Sequence, residues 1–128
     1  MSLTRKQFDE QVWPAITEHI DFPEEAKTKE MAWLFLEQLE LFSRKQHDYS
    51  SLNVLIGGEE GIFVRLADKF SRLVSHFRQG RKLKCENIED TWADIAVYCT
   101  MARLLRAGKW RATEGELRAW GILQKEAE

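Results

Sequence analysis

The chain has 128 residues, of which 44% are hydrophobic and 31% charged, the proportions of a single globular domain. Its 19 Lys and Arg against 21 Asp and Glu give a net charge of −2, which argues against a nucleic-acid module built on a basic surface, so no direct nucleic-acid binding is expected. No apolar run reaches the roughly 18 residues of a membrane helix, and the first residues are polar, so a cytoplasmic protein without membrane contact is expected. Cys85 and Cys99 stand far apart without paired histidines, which leaves a zinc site or a disulfide framework unsupported. Two prolines and seven glycines in long uninterrupted stretches favour an all-α fold.

Thr4-x-x-Gln7 forms a capping box ahead of a first helix with Phe8, Val12, Ala15, Ile16 and Ile20 at helical spacing, which Pro14 restarts or kinks. After Asp21-Phe22-Pro23, a second helix is predicted from Glu24 to about His47, with Met31, Leu34, Phe35, Leu39 and Phe42 as its apolar stripe. Residues 47–61 carry Gly57, Gly58 and Gly61 and read as a long loop with at most a short extended piece at 53–56. A third helix is predicted from Ile62 to Arg78, burying Ile62, Phe63, Leu66, Phe70, Leu73, Val74 and Phe77, with Arg65, Asp68, Lys69, Arg72 and His76 on the opposite stripe. A fourth, from Ile88 to Arg106, is apolar around nearly its whole circumference, which predicts the most buried helix, with Cys99 in the core. Trp110, the Thr113-x-x-Glu116 capping box, Leu117 and Trp120 predict a short packing helix before a polar tail. The whole chain reads as one domain with its core at about 24–106 and no internal repeat.

Asp90 and Asp94 lie one turn apart, and Asp94 is bracketed by Trp92, Ala93, Ile95, Ala96 and Val97. A carboxylate buried there without a partner is costly, so it meets a metal, a strong donor or a basic side chain of a neighbouring helix. If Asp68 faces this pair, three carboxylates converge beside cations that hold phosphates; otherwise the stripe is a solvated face with ion pairs along the helix. Lys45 has a stem inclined to the apolar side of its helix, while Glu37 and Glu40 are spaced as half of a two-carboxylate metal site or as a solvated Glu37 and an exposed Glu40–Arg44 pair. The 57–61 glycine segment carries two carboxylates and no lysine, which excludes a P-loop, and no serine, cysteine or histidine stands in a nucleophile arrangement.

Three spaced motifs, Lys45-x-x-Asp48-Tyr49 with Asn53, Arg65-x-x-Asp68-Lys69-x-x-Arg72-Leu73, and Glu89-Asp90-Thr91-x-x-Asp94-x-Ala96-x-Tyr98, together resemble the first nucleotide modification associated domain family of bacteriophages and bacteria. That family is similar to the MazG-like all-α NTP pyrophosphatases, and the resemblance spans about residues 40–105. It implies a MazG-like bundle of four main helices plus a short C-terminal helix, assembled as a homo-oligomer, dimer or tetramer. It also implies Mg²⁺, or Mn²⁺, on Asp68, Asp90 and Asp94 as the metal and catalytic residues, and cleavage of a nucleoside triphosphate to the monophosphate and pyrophosphate. Lys45, Arg65, Lys69 and Arg72 would contact phosphates, and Tyr49, Asn53 and Tyr98 the sugar or base, with Asp48 also among the substrate contacts. The superfamily pattern has E-x-x-E on one helix and E-x-x-D on the next, whereas this chain has Arg65-x-x-Asp68 and Thr91-x-x-Asp94. That departure motivates an alternative, a non-catalytic nucleotide-binding accessory of a modification system, and a third, a structural helical module with Trp110 and Trp120 at an oligomer interface.

Overall fold

The computed structural model describes residues 1–48, 52–82 and 87–121, and among these there is helix and no strand. The elements in order are α1 (Arg5–Gln7), a π-helical turn (Phe8–Val12), α2 (Trp13–His19), α3 (Glu25–Asp48), α4 (Leu52–Arg78), α5 (Ile88–Arg106) and α6 (Glu114–Ala119). They fall into two compact units, Met1–His47 and Asp48–Glu128.

In the first unit the expected capping box is formed: Thr4 Oγ1 accepts from the Gln7 N–H, and Gln7 Oε1 accepts from the Thr4 N–H. Pro14 sits in the first turn of α2, where its missing N–H costs nothing, and the turn before it widens to π geometry. The N-terminal segment is held on α3 by Phe8, which is fully buried with its ring 5.3 Å from Trp33 and 6.2 Å from Trp13. Trp13 stacks on Phe22 at 5.5 Å and donates from Nε1 to Glu25 at 3.2 Å. Arg5 lies over the Phe8 and Trp33 rings and makes a forked pair with Glu30, at 2.6 and 2.8 Å, while also reaching Asp9. The stripe predicted to be apolar core on α3 is largely uncovered, for Met31, Leu34, Phe35 and Leu39 are all exposed. The N-terminal segment is short and covers the Trp33 side of α3 rather than that stripe.

In the second unit α4 and α5 pack antiparallel, as shown by contacts that run in opposite senses along them: Glu59 to Arg106, Lys69 to Asp94 and Phe77 to Trp92. The expected loop over 47–61 is replaced by helix from Leu52 onward, and 53–56 is helical rather than extended. Burial of Val54 and Ile62 offsets the helix-propensity cost of three glycines, about 1 kcal/mol each, and only Gly58 leaves helical geometry, at φ 62 and ψ −160. That conformation is open to glycine alone, so α4 bends there.

The two faces of α4 are redistributed from the expected pattern. Ile62 and Leu73 are buried, but Phe63, Phe70, Val74 and Phe77 are exposed, while Arg65, Lys69, Arg72 and His76 of the supposed outer stripe are half-buried. Nor is α5 the wholly buried helix: Thr91 and Met101 are buried, whereas Trp92 and Cys99 are exposed, because α4 covers one side of it. Asn87 caps α5 by accepting from the Asp90 N–H, and Thr91, with none of its surface exposed, donates its hydroxyl to the Asn87 carbonyl. Thr113 and Glu116 form the second expected capping box at α6, and Trp110 is buried just before it. The polar tail lies outside the described residues.

Replacing Phe8 by Ala opens the one fully enclosed aromatic position of the first unit, with an expected loss of about 3–5 kcal/mol in the unfolding free energy from denaturant titration. Lys29 first, and then Arg5, hold the Asp9 carboxyl below its usual value, and Arg5 does the same to Glu30. A carboxyl lowered in the folded state stabilises above its unfolded-state pKa and stops doing so as pH falls through its folded one. The N-terminal segment is therefore expected to loosen in acid below the usual carboxylate range, with Trp fluorescence changing in step with the NMR titration of Asp9 and Glu30.

Candidate functional site

Two of the three motifs meet at the α4–α5 interface. Arg65, Lys69, Arg72 and His76 recur at helical spacing on one flank of α4, and all four are half-buried. On the facing helix, Asp94 is half-buried, and its Oδ2 accepts from Lys69 Nζ at 2.7 Å. The pair is withdrawn from water, with 12% of the Lys69 side chain and 31% of the Asp94 side chain exposed. The expectation that Asp94 must find a partner is met by a lysine of the neighbouring helix, the ion-pair alternative rather than a bare metal site. The pairing has a simple origin: the apolar residues on either side of Asp94 bring its helix into the packed seam, and a carboxylate so placed is stable beside an ammonium.

Asp68 and Asp90 do not join this centre. Asp68 lies on the outer side of α4, beyond the arginine flank, and is exposed; Asp90 is exposed in the first turn of α5, where the helix dipole favours it. Among the described residues no group of three or more His, Cys, Asp and Glu is placed to hold a metal ion. Asp94 as placed is paired with Lys69 and would have to exchange that lysine for an ion in order to ligate one.

Tyr98 is half-buried one turn along α5 from Asp94, and Lys45 is exposed near the end of α3 in the other unit. Tyr49 lies outside the described residues, as do the side chains of Asp48 and Asn53. Glu37 is exposed, and Glu40 pairs with Arg44 at 2.6 Å, the non-metal arrangement considered for them. The Ser2 N–H also donates to Glu40 at 3.1 Å and is the leading cause of a lowered Glu40 pKa.

Among the described residues, two concavities adjoin the basic flank. A small recess at the α4 bend is lined by Val54, Gly57, Gly58, Gly61, Ile62 and Arg65, and its volume of about 20 Å³ has room for little more than a water. A larger cavity of about 330 Å³ lies where α4 ends and α5 begins, lined by His76, Gly80, Arg81, Lys82, Asn87 and Ile88. This second cavity was not legible in the sequence; the only trace was the cluster Arg78, Arg81 and Lys82 around a glycine turn, which reads equally as a solvated corner.

No protein-family model matches the chain, and comparisons with curated proteins and with solved structures give no match either. The fold and site define an all-α protein with a basic helical flank against a carboxylate-bearing partner helix. No helix among the described residues is long and apolar enough to cross a membrane.

The Lys69–Asp94 pair is expected to couple the two helices measurably. In a double-mutant cycle of Lys69→Met and Asp94→Ala, the coupling energy should be about 1–2 kcal/mol, read from chemical denaturation. The same cycle on the exposed Arg106–Glu59 pair is expected to give well under 1 kcal/mol, because water screens it.

Proposed function

We propose that this chain binds a nucleoside triphosphate along the basic flank of α4 and, in keeping with the MazG-like resemblance, hydrolyses it to the monophosphate and pyrophosphate. The observation that carries this proposal is the meeting of Lys69 with Asp94. It brings the second and third motifs to one helix interface, with Arg65 and Arg72 a turn away on either side of the lysine. Support also comes from the 330 Å³ cavity farther along the same flank, whose volume is in the range of small-molecule sites and whose lining includes His76, Arg81 and Lys82.

The chain's own residues divide the work by charge. Arginines recognise phosphate oxygens with a planar fork, and Lys69 is a point charge able to leave one anion for another. A polyphosphate arriving beside Lys69 offers it that second anion, which releases the Asp94 carboxylate. Asp94 would then be the carboxylate at this interface free to take part in holding Mg²⁺ or Mn²⁺, which on such substrates supplies an activated water and charge neutralisation, while Asp68 and Asp90, which the resemblance also implies as ligands, stand apart from it. The resemblance brings with it a homo-oligomer, and the apolar faces left exposed on α3 and α4 support self-association. The setting would be phage or bacterial nucleotide metabolism, in a bacterial cytoplasm.

The ion pair also favours a second function, nucleotide binding without hydrolysis, because Asp94 is already neutralised by a protein cation. One experiment separates the two. Ribo- and deoxyribonucleoside triphosphates, including uracil and modified-cytosine forms, are incubated with Mg²⁺ or Mn²⁺ and resolved for monophosphate and pyrophosphate. Hydrolysis is expected to fall by about a hundredfold or more in Asp94→Asn. Thermal stabilisation by nucleotide without turnover would establish the accessory role, and neither turnover nor stabilisation at millimolar nucleotide would overturn both.

A further inference from the structure

We infer that the outward face of α4 is the contact between two copies of this chain, packed antiparallel about a twofold axis. This deepens the self-association proposed above and is independent of the nucleotide chemistry. The face is a continuous seam: Glu60, Phe63, Ala67, Phe70, Val74 and Phe77 recur at alternating spacings of three and four residues, the pattern of a coiled-coil core. The structure leaves it open, with Phe63, Phe70 and Phe77 exposing 71%, 55% and 56% of their surface and Ala67 and Val74 exposed between them. Trp92 of α5, against Phe77 and half-exposed, extends the seam at one end.

The aromatic residues alone expose roughly 450 Å², taking about 200 Å² for a whole aromatic side chain. With Val64, Val74 and the side chains around them, the patch approaches the roughly 800 Å² that each partner contributes to a standard stable interface. A seam of this kind left in water is an association surface.

Two features of the seam select a second copy and its direction. The first is size. One set of core positions holds Phe63, Phe70 and Phe77, and the alternate set holds the small Ala67 and Val74. Antiparallel helices layer one set against the other, so Phe70 of each copy meets Ala67 of the other and Phe63 meets Val74. Parallel helices would stack phenylalanine on phenylalanine and alanine on alanine, leaving voids between the crowded layers.

The second is charge. The seam begins at Glu60, which is exposed, and ends at Arg78, which is exposed and flanks Phe77. In the antiparallel register these opposite charges lie together at both ends of the interface, whereas a parallel pair sets like against like. The same patch then serves both partners, as a twofold interface requires.

Sedimentation equilibrium and light scattering of the full chain test this directly. The wild-type chain is expected to be a dimer or a higher even-numbered assembly, and Phe70→Glu, at an exposed position that leaves circular dichroism unchanged, is expected to weaken the dimer by about a hundredfold or more. Glu60→Arg and Arg78→Glu should each weaken it by about threefold or more, and their combination should restore it.

A second readout does not depend on those variants folding. In a Cys85→Ser, Cys99→Ser background, Phe63→Cys and Val74→Cys chains are mixed and oxidised, and the expected disulfide joins the two different chains. A monomer at about 100 μM, a dimer indifferent to Phe70→Glu, or disulfides formed between identical positions would each overturn the inference; the second result would point to the exposed stripe of α3 instead.

Discussion

Helix α4 carries more apolar circumference than one partner helix can cover, and the organisation of the second unit follows from that constraint. An antiparallel contact with α5 buries a single stripe, centred on Ile62 and Leu73. What lies to either side of that stripe has different fates. One flank is basic, with Arg65, Lys69, Arg72 and His76 half-buried beside the packed seam. The other is aromatic and stays open. The basic flank supplies the candidate binding chemistry and the aromatic flank the candidate interface, so both proposals depend on which way α4 is turned.

Lys69 is the residue on which the candidate site turns. It belongs to the basic flank but lies close enough to the buried stripe for its ammonium to reach Asp94 at the edge of the core. Were α4 rotated by about one residue, the lysine would lose the carboxylate and an arginine or an apolar side chain would face Asp94. The half-buried ion pair therefore marks the register in which the two helices pack. In the binding mode proposed above, an incoming phosphate would compete with Asp94 for that ammonium.

The first unit shows a different balance. Its N-terminal segment is tied by charge through Arg5, Asp9, Lys29 and Glu30 and by the Ser2 hydrogen bonds to Glu40, with Phe8 and Trp13 as the apolar anchor. Aromatic rings, a stacked guanidinium and exposed carboxylates fix a short segment on a long helix without a large core. The consequence is an α3 that keeps Met31, Phe35 and Leu39 in contact with water.

Much of this was written in local sequence. The helices, both capping boxes, the change of segment at Pro14 and the need of Asp94 for a partner follow from interactions within a few residues, where periodicity, a missing N–H and the desolvation of a carboxylate act in any context. The helix over 52–61 was hidden because its glycines argue locally for a loop, and only the burial of Val54 and Ile62 against the rest of the unit overrides them. The true inward face of α4 was hidden for a related reason. Phenylalanines and a lysine both lie within reach of the packed stripe, and hydropathy alone assigns the core to the phenylalanines. Which stripe turns inward depends on the facing surface of α5, where Asp94 meets Lys69, and that is a property of two helices together rather than of either one.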